Sequence, residues 1–585
     1  MKLRLIAIGL FIAHALGAPA LAQREHTPTD AIIMHAKIYT VNARLPWAEA
    51  VAIRDGKIVA VGSDKSVAPY QSASTKVIDA KGNMVLPGFF DSHVHILGGA
   101  QTLDELDLSG WWSGGPKTVA EFQKMIKDYA VQHPGKKWIQ GMGWTYDIFG
   151  KGGLPKKELI DEVVPDRPVF LLAYDGHTAV ANSAALRIAG ITRDTPNPPD
   201  GIIDRDPRTG EPTGVLKEGP AQQLVTKFIP KLTREEELDL LAKAFQYFDS
   251  LGLTSVTSCG GDVENIDLFE AIRKRGQLTT RLYGAPIEQA PGTTPQFAQF
   301  LKRLKGLRER YHDDWIDVGA VKFFADGVIE SHTAAMLRPY TNAPTRGHLN
   351  FDPAVYTKDV VEVNRLGFQV FTHAIGDQGI RMALDAYLEA EKVTGDKDLR
   401  DSVEHIEDPS AQDIPRFGQF GVVASMQPLH ETPNYDVLHV WAVNVGPERA
   451  QRAWPWHDIL TGGAHLAAGS DWPVVTANPW YGIQEFLTRE TPEGTPPGGW
   501  HPNERLTLPE AIKAYTLDSA YRDRREKVLG SIQVGKLADM IIVSQNLFKI
   551  APNQIGKTKV LVTMAGGKVV YHDPSWESGE PASSN

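Results

Sequence analysis

Two histidines one residue apart, His93 and His95, close the run NMVLPGFFDSHVH (83–95). On an extended strand, residues i and i+2 share a face, so both imidazoles can reach one ion. Similar groups end other apolar runs. DVGAVKFFADG (317–327) carries Val318, Ala320 and Lys322 on one face, which points Lys322 inward near the end of its strand. His373 lies at the end of FQVFTHA (368–374), His405 at the end of DSVEHI (401–406) and Asp471 at the end of AHLAAGSD (464–471). Imidazole nitrogens and carboxylate oxygens are the donors a borderline divalent cation takes. One such histidine would read as a structural residue. The same residue types at the ends of successive strands read as a metal centre.

Three further runs complete the set: LTSVTSC (253–259), TRLYGAP (280–286) and GVVASMQP (421–428). Helical patterns separate most of the eight. The clearest is TREEELDLLAKAFQYFDSLG (233–252), with Thr233 as cap, acids in its first turn and Gly252 at its end. Eight strand–helix units predict an α/β fold, a TIM (β/α)8 barrel, whose active site collects at the C-terminal ends of the strands. The gap between the first and second runs is too long for one crossover. It predicts an insertion over about 100–220, with strand-like pieces KWIQGMGW (137–144) and PVFLLAYDG (168–176).

The two chain ends share a different texture. AIIMHAKIYTV (31–41), AVAIRDGKIVAVGS (50–63), KVIDA (76–80), ADMIIV (538–543) and KVLVTMAGGKVVY (559–571) read as short strands. Asp55-Gly56 and Gly566-Gly567 mark hairpin turns. Together, 23–85 and 530–585 predict one small β domain, and 86–529 the main body.

The chain has 585 residues, 42% of them hydrophobic and 23% charged, which is ordinary globular composition. Lys and Arg total 61 against 71 Asp and Glu, a net charge of -10 with no basic block, so nucleic acid is not an expected partner. A single cysteine, Cys259, excludes a disulfide framework and a cysteine-rich metal site, and reads as a small buried residue. Residues 1–22 carry Lys2 and Arg4, then an apolar stretch, then Ala-Leu-Ala at 20–22, the pattern of a signal peptide. Cleavage after Ala22 removes those two cations and no acids, so -10 becomes -12. The stretch is shorter than the roughly 20 apolar residues of a spanning helix. An exported protein, periplasmic or extracellular and without a stable membrane anchor, is expected.

LPGFFDSHVH preceded by IDAKGNM, then THAIGD, VEHIED, GSDWPV and the late GKLADMIIV, resemble the metal-dependent amidohydrolase superfamily. DGHTAVANSAAL (175–186), VKFFADG (321–327) and ASMQPLH (424–430) resemble its branch of YtcJ-like amidohydrolases and N-substituted formamide deformylases. The resemblance covers nearly everything after the first 22 residues. It implies a TIM barrel with a small β-sandwich built from both chain ends. It also implies that His93 and His95 hold a more buried metal, His373 and His405 a more exposed one, and that Asp471 binds metal and acts as general base. Lys322 matches the place where many members carry a carboxylated lysine bridging two ions. An ordinary lysine, alone or paired with Asp326, is the other reading. The cofactor is one or two divalent ions, with zinc the first choice and iron, manganese or nickel also suited.

Amide hydrolysis needs an activated water and a proton for the departing nitrogen. A divalent ion lowers the water's pKa to roughly 7 and polarises the carbonyl. Asp471 then carries the proton from water to nitrogen. In the insertion, Asp175, His177 and Asn182 fall in one polar stretch, with His177 placed to bind the developing oxyanion. Trp144 and Trp472 read as aromatic walls for a small-molecule substrate. The leading function is hydrolysis of a C–N amide bond in an N-substituted formamide, N-acyl amine or similar small amide. A deaminase or cyclic amide or ester hydrolase on the same site is an alternative, although Asp377 in FTHAIGD is no substitute for the glutamate a deaminase would want. A non-catalytic binding or regulatory protein on the same fold is a second alternative.

Overall fold

Nine short strands carry the metal-type residues or stand between them: β1 (Phe89–Val94), β2 (Leu253–Ser258), β3 (Arg281–Gly284), β4 (Ile316–Val318), β5 (Ala320–Phe324), β6 (Gln369–Ala374), β7 (Ser402–His405), β8 (Val423–Met426) and β9 (Leu466–Ala468). The computed structural model describes residues 29–109, 115–150, 154–174, 176–199, 201–260, 265–287 and 294–578. The expected signal peptide (1–22) and Asp175 lie outside the described residues. The strands form two parallel sheets, in the orders β4-β3-β2-β1 and β5-β6-β7-β8-β9. Two parallel bridges join them: Ile287, just past β3, to Lys322 on β5, and Val94 on β1 to Trp472, just past β9.

Two expected runs are each divided at a glycine. Within 317–327 the break is Gly319, where a Cβ would overlap the Tyr283 hydroxyl. The first piece stays with β3 and the second opens the other sheet. Within 83–95 the break is Gly88, where a Cβ would overlap the Thr254 side chain. Its first piece, Met84–Pro87, leaves the metal strands and pairs with Met540–Val543 instead.

The chain ends therefore meet in one six-stranded sheet that runs Lys568–His572, Val560–Ala565, Met540–Val543, Met84–Pro87, Lys37–Tyr39, Trp47–Ala48. A four-stranded sheet of N-terminal strands shares its apolar cluster, which includes Ile33, Ile53, Val85, Met540 and Ile542. Asp55 and Gly56 have φ of 51° and 71°, as a tight hairpin turn requires. Gly56 packs so closely on the Gly566 turn that a Cβ there would sit 2.9 Å from the Gly566 carbonyl oxygen. One buried ion pair ties this region to the metal strands: Arg281 on β3 grips Asp539 through two bonds, of 2.7 and 3.0 Å.

The helix Arg234–Leu251 forms where the pattern predicts, with a Thr233–Glu236 capping box and Gly252 closing it at φ 80°. It buries Leu241, Phe245 and Phe248. The insertion between β1 and β2 holds its own six-stranded sheet, ordered Ile202–Arg205, Pro212–Lys217, Thr178–Ala181, Val169–Ala173, Ile139–Trp144, Leu106–Asp107. Among the described residues, no helix is long and apolar enough to cross a membrane.

Candidate active site

His93, His95, Lys322, His373, His405 and Asp471 all lie on, or just past, the C-terminal ends of the parallel strands, and the fold brings them together. Ligand atoms of His93, His405 and Asp471 lie within 4.8 Å of one another. Asp471 Oδ1 is 2.9 Å from His95 Nε2 and 3.4 Å from His93 Nε2. The His93 and His405 ring centroids are 5.0 Å apart, and those of His373 and His405 4.5 Å. Lys322 Nζ is fully buried, 3.2 Å from His93 Nε2. Asp326 is not its partner, because its carboxylate accepts the amides of Ala335, Ile375 and Gly376.

The backbone is bent to make this cluster. His405, Ile406 and Asp471 have φ of 75°, 55° and 62°, the left-handed region that side chains with a Cβ rarely adopt. Such strain persists only where the surroundings impose it, and it gathers at functional sites. Asp91 supplies part of the restraint, its Oδ1 accepting both the His93 amide (3.2 Å) and the Ser470 amide (2.8 Å), so two ligand-bearing strand ends are locked in register.

Electrostatics prepare the donors. Burial, with the Lys322 ammonium adding to it, pushes His93 down to about 4 and His373 down to about 3. Burial, then His373, drives His405 well below the ordinary imidazole value. These rings are neutral at physiological pH, with lone pairs to offer a cation. Burial opposes ionisation of Asp471, yet its close contacts with the His93, His95 and His405 imidazoles hold its carboxyl well below the usual range. Buried His405 Nδ1 and Asp471 Oδ1 make no hydrogen bond within the protein. Neutral imidazoles, one carboxylate and orphaned donor atoms fit a divalent cation.

Sequence reasoning did not single out the residues that support this cluster. Glu404 on β7, buried beside His405, takes His93 Nδ1 at 2.7 Å through Oε2. Its Oε1 takes Arg522 at 2.8 Å and the Ser402 hydroxyl at 2.5 Å. A carboxylate behind a ligating histidine fixes the ring's tautomer and direction. Cys259 is fully buried against this group, and burial pushes its thiol up to about 12, so it is an inert small side chain.

The residues expected to contact substrate are placed differently. Trp144 is fully buried in the apolar core of the insertion and donates Nε1 to the Leu171 carbonyl (3.0 Å). Asn182 caps the helix Ser183–Ala189, its Oδ1 accepting the Val169 and Ala185 amides and its Nδ2 bonded to the Val164 and Arg167 carbonyls, so nothing is left for a ligand. Trp472, one residue past Asp471, packs on Phe248 (5.3 Å between ring centroids) and over Gly99, in the layer of helices outside the sheets. It lines a separate cavity of about 470 Å³ against the insertion, with Met142, Tyr174, Tyr247 and Tyr481. His177 holds the Glu218 carboxylate at 2.9 Å through Nδ1, with about half of each side chain exposed.

Parallel strands that converge imidazoles, a lysine and a carboxylate at one end form an α/β fold with a candidate metal site where such folds build their active sites. The chain belongs to the amidohydrolase family, whose model matches residues 76–571. It is 34% identical over 556 residues to Protein LONG AFTER FAR-RED 3 of Arabidopsis thaliana, covering 93% of this chain and 91% of that one. It is 27% identical to the N-substituted formamide deformylase of Arthrobacter pascens, covering 93% of this chain and 98% of that one. Among solved structures, an uncharacterized metal-dependent hydrolase from Pyrococcus furiosus superposes with a TM-score of 0.67 at 26% identity, covering 88% of this chain and 98% of that one. The protein is thus a hydrolase acting on carbon–nitrogen bonds.

Proposed function

We propose that the protein is an exported hydrolase of small amides, using one or two divalent ions, zinc first among them, held by His93, His95, His373, His405 and Asp471. The observation that carries this reading is the division of labour in the Asp471 carboxylate. Oδ1 turns to His93 and His95, while Oδ2 stands 3.8 Å from His430 Nε2, on another side of the group. One oxygen is thereby available to ligate and the other to take a proton. The two edge bridges support reading the sheets as halves of one closed barrel, with the chain ends as a β-sandwich beside it.

A divalent ion bound there supplies a lowered water pKa and a polarised carbonyl. Asp471 orients the water, accepts its proton at Oδ2 and delivers it to the nitrogen as the C–N bond breaks. His93, held by Glu404, keeps the donor geometry fixed through that transfer. N-substituted formamides are the first substrates to test, on the strength of the Arthrobacter pascens relative. A panel of formamides, acetamides and carbamates assayed with zinc or manganese should show turnover of small amides. No turnover of any member would overturn the substrate class.

Lys322 is proposed to be carboxylated and to bridge two ions. A buried ammonium beside His93 Nε2 repels any cation placed there, and burial lowers its pKa, which favours the neutral amine that reacts with CO2. Carbon-13 NMR with labelled bicarbonate is expected to show one carbamate carbon per chain in metallated protein. A free amine with one ion per chain would refute the bridge.

Export is proposed from the charge and apolar pattern of residues 1–22. N-terminal sequencing of the secreted or periplasmic protein should begin at Gln23. Recovery of intact Met1 from that fraction would refute it.

A further inference from the structure

We propose that His430 is a catalytic residue of this site, its Nε2–H binding the carbonyl oxygen of the scissile amide as negative charge develops there. This rests on the amide-hydrolase reading above. His430 ends the turn Pro428–His430 that follows β8. Its side chain is 13% exposed, and Nε2 has no hydrogen-bond partner. The ring lies parallel to that of His405, 5.7 Å between centroids and 6° between planes. Nε2 is 3.8 Å from Asp471 Oδ2, so donor and base face one space. A buried ring nitrogen without a partner is unfavourable, and each such group in a native fold calls for an explanation. An acyl oxygen arriving between Asp471 and His430 provides one.

A second orphan lies on the same segment. Gln427 is fully buried and extended, and neither end of its carboxamide has a partner. It shares a strand face with Ser425, whose hydroxyl reaches across to Ser92 on β1 at 3.2 Å. Two buried, unsatisfied polar side chains thus fall on one short segment, of which His430 is the one beside Asp471.

The turn is also rigid, as oxyanion stabilisation requires, because donors must not reorganise during the reaction. Glu431, the next residue, forms a fully buried ion pair with Arg489 at 3.0 Å. Arg489 in turn donates to the carbonyls of Ala453, Trp454 and Trp500. On the far side, Glu407 Oε1 lies 3.9 Å from His430 Nδ1, and Trp441 holds the other Glu407 oxygen at 2.7 Å. In the reaction the water oxygen adds to the carbonyl carbon and its proton passes by Asp471 to the leaving nitrogen. His430 keeps its own proton, and its hydrogen bond shortens as the oxyanion forms.

The test compares His430→Phe, which keeps the ring stacked on His405 but has no donor, with His430→Gln, which restores an N–H at similar reach. With N-phenylformamide as substrate, His430→Phe is expected to lower kcat roughly 10²–10³-fold, with KM and metal content near wild type. His430→Gln should recover part of that loss. Affinity for phenylphosphinate, a tetrahedral anion, should fall in His430→Phe as well. A kcat within about threefold of wild type in His430→Phe overturns the proposal, as does metal loss that matches the loss of rate. If the wild type turns over no amide, the substrate reading fails separately. Phenylphosphinate then still judges His430: weaker binding to the Phe variant supports its role, and equal binding overturns it.

Discussion

Asp471→Asn is expected to slow amide turnover by roughly 10²–10⁴-fold, about 3–5 kcal/mol in barrier, while leaving most of the metal in place. The substituted side chain keeps an oxygen of similar shape toward His93 and His95, so ligation is weakened rather than lost. It cannot accept a proton. All four imidazoles, His93 and His95 at the end of β1, His373 on β6 and His405 on β7, stay where they were. The measurements are kcat and metal content on the same preparation, and the prediction is that they separate. Near-wild-type turnover in this variant would remove Asp471 from the role of base.

His93→Ala is expected to do the opposite, losing metal and activity together to background. His93 is fully buried and central: Nδ1 is fixed by Glu404 at 2.7 Å, and Nε2 lies near both Lys322 and Asp471. Truncation leaves the Glu404 carboxylate with Arg522 but without its imidazole, and no neighbouring side chain can swing in to replace the ring. Glu404→Gln is the milder companion, because a metal ligand that loses its outer partner typically costs 10–100-fold in affinity or activity. Elemental analysis alongside turnover reads both. Retention of full metal by His93→Ala would show that this residue is not a ligand.

The ligand cluster was legible because it follows a simple rule. Residues two apart on a strand share a face, and strand ends in repeated strand–helix units share a side of the fold. The insertion residues were not legible, since their meaning depends on direction. Asn182 precedes Ser-Ala-Ala-Leu, the start of a short helix, and asparagine there caps far more readily than it binds a ligand. Trp472 follows Asp471 by one residue, but Asp471 is left-handed and beyond the strand, so the direction of the indole is set by backbone that no sequence pattern announces. Trp144 has its indole nitrogen satisfied by a strand neighbour that only the folded sheet supplies. Glu404 stood in plain view beside His405, but both face the centre only because His405 and Ile406 adopt left-handed backbone, which no sequence pattern announces. His430 carried a motif but no periodicity.

The pairing of Met84–Pro87 with Met540–Val543 also dictates an order of events during synthesis. Pro87 meets Met540, roughly 450 residues later in the chain. At about 5–20 residues per second, the early strands wait on the order of half a minute or more for their partner to be made. Through that interval Met84–Pro87 is an apolar edge with no antiparallel neighbour, open to wrong partners. The six-stranded sheet is therefore completed only when the ribosome has nearly finished, which penalises premature termination. Loss of even the last 50 residues would remove Met540–Val543 and leave Met84–Pro87 without its antiparallel neighbour, although every metal ligand had already been synthesised.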